Sequence, residues 1–293
     1  MVEIKNIIGS NFSLKNTCVA YGHFDGMHLG HRELINKLCG TGKQQNLNSV
    51  LITATTNSIA EKVITTDEEK SYLLQSNGPD VTIFDKMKIE TTESFIRNVL
   101  LKQLGAKVLV VSEDNAEIGV LRSCASKFGY QLIECPTATV DKKAVTSKRI
   151  LAELENNNVE KAAELLGHNY FVMGEVGYGK QIGRTVGLPT ANITYKKNKY
   201  LIPDGVYAVM TEVDGVKYKG LCNIGRRPSV DSFDYITVEN HLLDYNADLY
   251  GKVIKMDVHF YIRPVMKMNG MDEVLAQVKK DLQAIRGKFE KME

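Results

Sequence analysis

A change of pattern near Gly167 is the feature that most constrains the fold of this 293-residue chain. Before it, short apolar segments alternate with stretches whose apolar residues recur at helical spacing, which is typical of a parallel sheet covered by helices. After it, segments with the spacing of strands dominate until one helical stretch near the C-terminus. We therefore predict two domains, residues 1–166 and 167–293.

The predicted elements on each side of this boundary define the fold class. The first part offers the strands CVAYG, SVLITAT, VTIFD and AKVLVVS and the helices HRELINKL, DEEKSYLL, TESFIRNVLLKQL and LRSCASKF, and a further helical pair over 147–166 bridges the halves. The second part offers the strands YFVMGEV, GVYAVMTEV, YKGLCNI and KVIKMDVHFYI, DG turns at 204 and 214, and the helix MDEVLAQVKKDLQAI. We expect a parallel α/β domain followed by an antiparallel β-barrel that a terminal helix packs.

The segment GRTVGLPTAN, which begins at Gly183, concentrates groups that suit both an anion and a cation. Pro189 excludes a helix interior, and Gly183 and Gly187 let backbone N–H groups approach phosphate oxygens. If a strand begins here, Thr190 and Asn192 lie on one face and present neutral oxygens to a hard cation such as Mg²⁺. Taken alone, such a segment more often marks an ordinary turn that leads into an edge strand.

Four ordered blocks resemble riboflavin kinases: GEVGYGKQIGRTVGLPTANI, LIPDGVYAV, NIGRRPSV and VENHLLDYNADLYGK. The resemblance implies a six-stranded barrel that phosphorylates the ribityl 5′-hydroxyl of riboflavin with Mg-ATP. It also implies that Thr190 and Asn192 serve the metal and the nucleotide, and that Glu239 is the catalytic base. The nucleotide-binding positions that it implies are Gly183, Arg184, Gly187, Pro189 and Thr190.

Strand periodicity agrees with a site position for Glu239. In DYITVENHLL, alternation places Thr237, Glu239 and His241 on one face and apolar residues on the other. A carboxylate on that polar face can accept the proton of an attacking hydroxyl during phosphoryl transfer. The residues alone fit an ordinary solvated glutamate equally well, and a solvated or structural histidine is the default interpretation of His241.

A second nucleotide signal lies in CVAYGHFDGMHLGH, where an apolar strand runs into a glycine-rich loop and then a helix. This arrangement directs N–H groups and the positive end of a helix dipole at phosphates. His28 and His31 are three residues apart and are expected on the same side of the helix entry, where they can donate to a triphosphate. Zinc is the competing interpretation of H-x-x-H, although the sequence offers no clustered Cys or further His at four-ligand spacing.

The pattern GxFDGxHxGH resembles the nucleotidyltransferase superfamily, and more narrowly the adenylyltransferase domain of bacterial bifunctional riboflavin kinase/FAD synthetases. The resemblance implies that the FMN phosphate attacks the α-phosphorus of ATP, giving FAD and pyrophosphate, while His28, His31, the loop and Mg²⁺ stabilise charge. The nucleotide-binding positions that it implies are Gly22, Phe24, Asp25, Gly26, Gly30, Ser147 and Arg149.

Three segments of this domain depart from the family pattern. TATTNS at 53–58 lacks the prolines and the histidine of the usual FxPHP-like segment, and SEDNAEIG at 112–119 lacks the aromatic residues usual in its loop. TSKRIL keeps Ser147 and Arg149 but has Leu151 where a second arginine is expected. The alternative is therefore a monofunctional riboflavin kinase whose first domain senses nucleotides or binds a partner.

Composition narrows the partners and the compartment. The formal net charge of +2 gives no electrostatic reason to expect nucleic-acid or membrane binding. The partners that the family resemblance implies are riboflavin, FMN and ATP. The sequence shows no long apolar segment and no secretory leader. Its five scattered cysteines fit reduced thiols better than a disulfide framework. We expect a cytoplasmic protein.

Overall fold

The fold changes type along the chain, from a parallel sheet to an antiparallel barrel. The computed structural model describes residues 1–6, 10–55, 61–86, 91–178, 189–227 and 235–292. The chain divides into two units, Met1–Ser147 and Lys148–Glu293, each with its own internal packing. The predicted functional boundary at residue 166 stays a prediction.

The first unit is built on a six-stranded parallel sheet. Its strands are β1 (Val2–Lys5), β2 (Thr17–Gly22), β3 (Asn48–Ala54), β4 (Val81–Asp85), β5 (Ala106–Ser112) and β6 (Gln131–Cys135). Its helices are α1 (Leu29–Gln45), α2 (Asp67–Leu74), α3 (Glu93–Phe95, continued by a π-helical stretch Ile96–Gln103) and α4 (Ile118–Phe128). A short ribbon of β7 (Thr139–Val140) and β8 (Lys143–Ala144) follows.

Burial on both faces explains why the central strands of this sheet are continuous apolar runs. On β2, Val19 and Tyr21 pack in one core cluster with residues of α3, its π-helical continuation and α4. Cys18 and Ala20 pack in a second cluster with residues of α1 and α2. Because successive residues of β2 meet helices on opposite faces, the strand shows no polar alternation.

The strand order β1-β4-β3-β2-β5-β6 reverses direction between β2 and β5. From β2 the chain continues to β3 and β4 on one side, whereas β5 and β6 lie on the other side. In open parallel sheets, ligands bind beyond the carboxyl ends of the strands that flank such a reversal. The glycine-rich loop leaves the end of β2, and the SEDNAEIG segment begins at the last residue of β5.

Six strands of the second unit close into an antiparallel barrel in the order β10-β13-β12-β11-β14-β9. They are β9 (Tyr170–Gly177), β10 (Ala191–Thr194), β11 (Gly205–Val213), β12 (Val216–Arg227), β13 (Tyr235–Leu242) and β14 (Val253–Arg263). Helices α5 (Ser147–Glu155) and α6 (Val159–Leu166) precede the barrel, and α7 (Met271–Glu290) follows it. The predicted barrel with a terminal helix is confirmed.

Alternation along the barrel strands separates the helix-covered face of the wall from the barrel interior. Val206 packs against Ile285 of α7 in one cluster. Its neighbour Tyr207 is fully buried and points to the opposite, interior face. Arg263 of β14 also holds the helix. Its Nε–H is shared between the two carboxylate oxygens of Asp281, at 3.0 and 3.1 Å, and its Nη2 donates to Oδ2 at 2.8 Å.

Two details of the predicted elements need correction. The edge strands of the first sheet, β1 and β6, are absent from the predicted set. The DG pair at 214 forms the turn between β11 and β12, with φ of 50° and 81°, whereas at 204 Asp204 lies in a bend and Gly205 already begins β11.

Candidate active sites

Asn192 and Glu239 are direct register partners where β10 pairs with β13. Side chains of directly opposed residues leave a sheet on the same face, so the amide and the carboxylate are neighbours. Asn223 of β12 faces Glu239 from the other side. All three side chains are half-buried. A row of polar groups therefore crosses three adjacent strands on the outer face of the barrel wall.

Thr190 and Pro189 immediately precede β10, and a histidine ties them to β13. The ring Nδ1 of His241 lies 2.7 Å from the carbonyl oxygen of Pro189, to which it can only donate. His241 lies two residues beyond Glu239 on the same face of β13. This contact gives His241 a structural role and fixes the start of the PTAN strand beside the strand that carries Glu239.

A cavity of about 410 Å³ adjoins this corner. Pro189, Thr190, Asn240, Tyr245 and Tyr250 are among the residues that line it. The lining combines the polar side chains of Thr190 and Asn240 with the aromatic rings of Tyr245 and Tyr250, which suits a ligand with both polar and planar parts.

Two tyrosines stack at this cavity. The rings of Tyr178 and Tyr250 lie 4.1 Å apart between centroids, at 20° to each other. Tyr178 is 78% exposed, so one face of the pair is open to solvent. The sequence predicts no particular aromatic residue for this position, since the block DYNADLYGK carries two tyrosines without a periodic pattern that distinguishes them.

Three of the predicted phosphate-contacting residues lie outside the described residues. They are Gly183, Arg184 and Gly187. Their roles stay predictions. Of the same segment, Pro189, Thr190 and Asn192 are described and lie together at the corner above.

In the first unit, the predicted glycine-rich loop leaves β2 at Gly22 and makes a tight turn before α1. Phe24 has a left-handed backbone, with φ of 49° and ψ of 34°, and Gly26 has φ of 80°. Only glycine adopts the second conformation without strain, which accounts for the residue at that position. The turn ends at His28, which is extended and forms the N-cap of α1.

The two histidines of this loop stack on each other. Their ring centroids are 3.6 Å apart and the rings are nearly parallel, at 17°, so both lie on the same side of the helix entry, as the spacing predicts. Phe24 packs against His31 at 5.0 Å. A Cβ at Gly30 would lie 3.4 Å from the His28 ring, so position 30 is in van der Waals contact with the stack.

Burial keeps one of these rings neutral. Burial, with smaller contributions from His28 and the Lys70 ammonium, holds the pKa of His31 well below its usual value. A neutral imidazole carries one N–H donor, so His31 offers a hydrogen bond rather than a full charge to an incoming phosphate.

Two other predicted residues of this site, Asp25 and Ser147, form hydrogen bonds that hold the loop. Asp25 turns its carboxylate towards the backbone N–H of Thr65, at 3.0 Å, and its carbonyl oxygen accepts a hydrogen bond from the Ser147 hydroxyl at 2.9 Å. Both groups therefore hold the loop in addition to any part they take in binding. Arg149 lies two residues beyond Ser147 and belongs to the second unit; its nucleotide-binding role stays a prediction.

The donor groups of the barrel corner fit magnesium better than a softer metal. Among the described residues, no three His, Cys, Asp or Glu side chains cluster as a metal site would require. The corner instead offers a hydroxyl, an amide oxygen and one carboxylate from Thr190, Asn192 and Glu239. Mg²⁺ takes few protein ligands of this oxygen type and completes its shell with water and substrate phosphates.

Comparison with known proteins covers both units. The family model for riboflavin kinase matches residues 166–289, and that for FAD synthetase matches residues 11–149. The bifunctional riboflavin kinase/FMN adenylyltransferase of Buchnera aphidicola subsp. Schizaphis graminum is 31% identical over 297 residues, covering 94% of each chain. The Bacillus subtilis protein of that name is 32% identical, covering 92% of this chain and 91% of its own.

A solved structure shares the fold over almost the full length. A Streptococcus pneumoniae protein, described as a macrolide-efflux protein, superposes with a TM-score of 0.84 at 25% identity, covering 98% of this chain and 99% of that one. In the present chain, none of the helices in the described ranges has the length and apolar content needed to cross a bilayer. Identity above 30% along nearly the whole length, with a matching model for each half, shows that the chain belongs to the family of bifunctional riboflavin kinase/FMN adenylyltransferases.

Proposed function

We propose that this protein makes FAD from riboflavin in two ATP-dependent steps. The second unit phosphorylates riboflavin to FMN, and the first unit adenylylates FMN. The presence of both domain models and of full-length bifunctional relatives favours this function over a monofunctional kinase with a sensing domain. For the two functional domains we propose the bounds 1–166 and 167–293, with the matched models ending at 149 and beginning at 166 in support.

The pairing of Asn192 with Glu239 is the observation that carries the kinase assignment. Phosphoryl transfer asks a protein for positioning, charge neutralisation and an acceptor for the attacking proton. Glu239 takes the proton from the ribityl 5′-hydroxyl as that oxygen attacks the γ-phosphorus of ATP. Thr190 and Asn192 hold the magnesium ion that accompanies ATP, and this ion neutralises charge on the phosphates when bound.

The loop of the same segment completes the phosphate site in this proposal. Gly183 and Gly187 allow the backbone to approach the nucleotide phosphates, and the guanidinium of Arg184 pairs with them. Pro189 holds the chain extended as it enters β10. The stacked pair of Tyr178 and Tyr250 offers a π-face to a planar ring of one substrate.

In the first unit, the FMN phosphate itself attacks the α-phosphorus of ATP, and pyrophosphate leaves. Binding and charge stabilisation are the work of the protein, because no protein nucleophile is required. His28 and neutral His31 donate to the triphosphate at the start of α1, and backbone groups of the loop from Gly22 to Gly30 surround it. Ser147 and Arg149, at the start of α5, bind the nucleotide in this proposal.

The compartment is proposed on the state of the cysteines. All five are free thiols, and four of them are buried. Burial raises the pKa of the Cys18 thiol to about 12, so this side chain is a protonated, unreactive part of the core. Such thiols suit a reducing compartment, and we propose the cytoplasm.

One experiment tests both steps. The full chain is incubated with riboflavin and Mg-ATP, and with FMN and Mg-ATP, and the products are separated by chromatography. We expect FMN and FAD from the first mixture and FAD with pyrophosphate from the second. Absence of FMN in the first mixture contradicts the kinase assignment. FMN from riboflavin without FAD in either mixture contradicts the adenylyl-transfer assignment and leaves a monofunctional kinase.

A further inference from the structure

The loop that carries His28 and His31 has a backbone that needs external support. Besides Phe24, Met27 has a left-handed backbone, with φ of 44°. A bulky non-glycine residue in this region is strained and persists only where the surrounding structure over-determines its conformation. The neighbours that fix this turn therefore decide where the two imidazoles lie.

Thr65 supplies two of the contacts that fix the turn. Its side chain is buried, with 2% of the residue exposed. The backbone N–H of Gly26 donates to Thr65 Oγ1 at 2.9 Å, and the Thr65 N–H donates to the carboxylate of Asp25 at 3.0 Å. A longer contact of 3.4 Å joins Thr65 Oγ1 to the same carboxylate. Thr65 thus binds Asp25 and Gly26, in the middle of the turn, through both its backbone and its side chain.

Lys70 holds the point where the turn begins. Its ammonium is buried, with 3% of the residue exposed, and donates to the carbonyl oxygen of His23 at 2.8 Å. It also donates to Thr53 Oγ1 at 3.1 Å, and Thr53 Oγ1 in turn donates to the His23 carbonyl at 3.2 Å. A buried ammonium is tolerated only where acceptors surround it, so this contact is geometrically specific.

Both residues are anchored by the start of α2. Thr66 and Glu69 form reciprocal hydrogen bonds, Thr66 N to Glu69 Oε2 at 2.9 Å and Glu69 N to Thr66 Oγ1 at 3.3 Å. This capping box fixes the first turn of α2 between Thr65 and Lys70. The segment from Ile64 to Lys70 is consequently a rigid support that meets the histidine loop at two points.

We infer that Thr65 and Lys70 are positioning residues for adenylyl transfer, which set the turn from His23 to Met27 and so the placement of the imidazoles of His28 and His31. The inference rests on the proposed FMN adenylyltransferase function of the first unit. Neither residue touches the reacting atoms in this role. Both act through the loop backbone, and a misplacement of about 1 Å at such a site costs up to a hundredfold in rate.

The test compares Thr65→Val with Thr65→Ser in the full chain. Valine keeps the shape and the backbone N–H but removes the acceptor of the Gly26 amide, whereas serine keeps the hydroxyl. We expect Thr65→Val to lower kcat for FAD formation from FMN about 10-fold to 100-fold, with a smaller change in KM for ATP, and Thr65→Ser to retain most of the activity. FMN formation from riboflavin in the same chain is expected to stay within about twofold of wild type, as an internal control.

Thr92→Val is the matched control for lost stability. Thr92 is exposed and accepts a hydrogen bond from the Phe95 N–H at the start of α3, so its replacement also removes a threonine hydrogen bond and a helix cap. We expect it to leave FAD formation at the wild-type rate. An equal loss in Thr92→Val and Thr65→Val, or no rescue by serine, overturns the inference.

Amide hydrogen exchange does not depend on catalysis, so it tests this inference separately from the proposed function. Amide hydrogen exchange at Gly26 is expected to be at least about tenfold faster in Thr65→Val than in wild type, and unchanged in Thr92→Val. Lys70→Met is expected to accelerate the same exchange, because it releases the His23 carbonyl. If wild type makes no FAD, the proposed function fails while the exchange data still decide whether Thr65 and Lys70 hold the loop. If Gly26 exchanges at the wild-type rate in both Thr65→Val and Lys70→Met, the inference is overturned.

Discussion

Asn192 and Glu239 face each other across the β10–β13 ladder, so an amide and a carboxylate project side by side from the barrel wall. Opposed residues in antiparallel sheets have Cα atoms about 4.5 to 5.5 Å apart, which is within the span of a metal-bound phosphate and its acceptor hydroxyl. The His241 contact to Pro189 brings Thr190 to the same corner. The metal ligands and the catalytic base that we propose thus lie on, or directly before, two neighbouring strands of the barrel.

Glu239→Gln is predicted to abolish most riboflavin phosphorylation without unfolding the barrel. The substitution keeps the shape of the side chain but removes its ability to accept a proton. Loss of a general base lowers kcat about a hundredfold to ten-thousandfold. FMN formation measures the effect, and Glu175→Gln, an exposed glutamate on β9, serves as the control. Wild-type turnover in Glu239→Gln would remove Glu239 from the base role.

Thr190→Val is predicted to raise the magnesium concentration needed for kinase activity. Valine replaces the proposed ligand oxygen by a methyl group of similar size. We expect the Mg²⁺ concentration for half-maximal FMN formation to rise about tenfold or more. Thr194→Val, at the exposed far end of β10, is expected to leave the magnesium titration unchanged. Superimposable titrations for the two variants speak against a metal role for Thr190.

We predict that mild acidification lowers the stability of the folded protein, because the pKa of His31 is lowered. Because its pKa is lowered in the folded state, the unfolded chain binds more protons as pH falls below the ordinary value of 6.5. Stability therefore decreases as pH drops through this range and recovers above it. The melting temperature of wild type is expected to fall more than that of His31→Gln between about pH 7.5 and about pH 5.5. Parallel profiles for the two proteins would contradict the buried, neutral state of His31.

Removal of the Asp281 carboxylate is predicted to destabilise the second unit strongly. Asp281 is 3% exposed and receives the Arg263 guanidinium together with the Gln277 amide. Loss of one partner of a buried pair leaves the other charge uncompensated, at a cost of about 3 to 5 kcal/mol. Urea unfolding of Asp281→Ala checks this value. Glu164→Ala, in the exposed Lys161–Glu164 pair, is the control and is expected to change stability little.

The sequence predicts the interior of each domain better than its margins. Central strands such as β2 and β5 are buried on both faces and stand out as apolar runs. Hydrophobic pattern does not separate the edge strands β1 and β6 from loops, because their residues are mostly exposed or half-buried. The helices α1 to α4 overlap predicted helical stretches, since each places buried residues in one of the two core clusters, but α1 continues to Gln45, beyond the predicted end at Leu38.

Candidate site residues were predictable where they belong to contiguous motifs. His28, His31, Thr190 and Asn192 each lie in a short segment whose spacing indicates a phosphate or metal site. Lys70 was read only as part of the amphipathic helix DEEKSYLL, because its contacts to His23 and Thr53 join positions far apart in the chain. Tertiary hydrogen bonds of this kind leave no periodic trace in a sequence.

Closure of the barrel has a consequence for the solution behaviour of the second unit. β10 is the shortest strand of the ring, yet it pairs with β9 on one side and with β13 on the other. Backbone N–H and C=O groups along such a ring are used within the chain, so they offer a second copy no template for strand addition. β10 therefore offers a second copy of the chain no open strand edge for backbone hydrogen bonding, despite its short length.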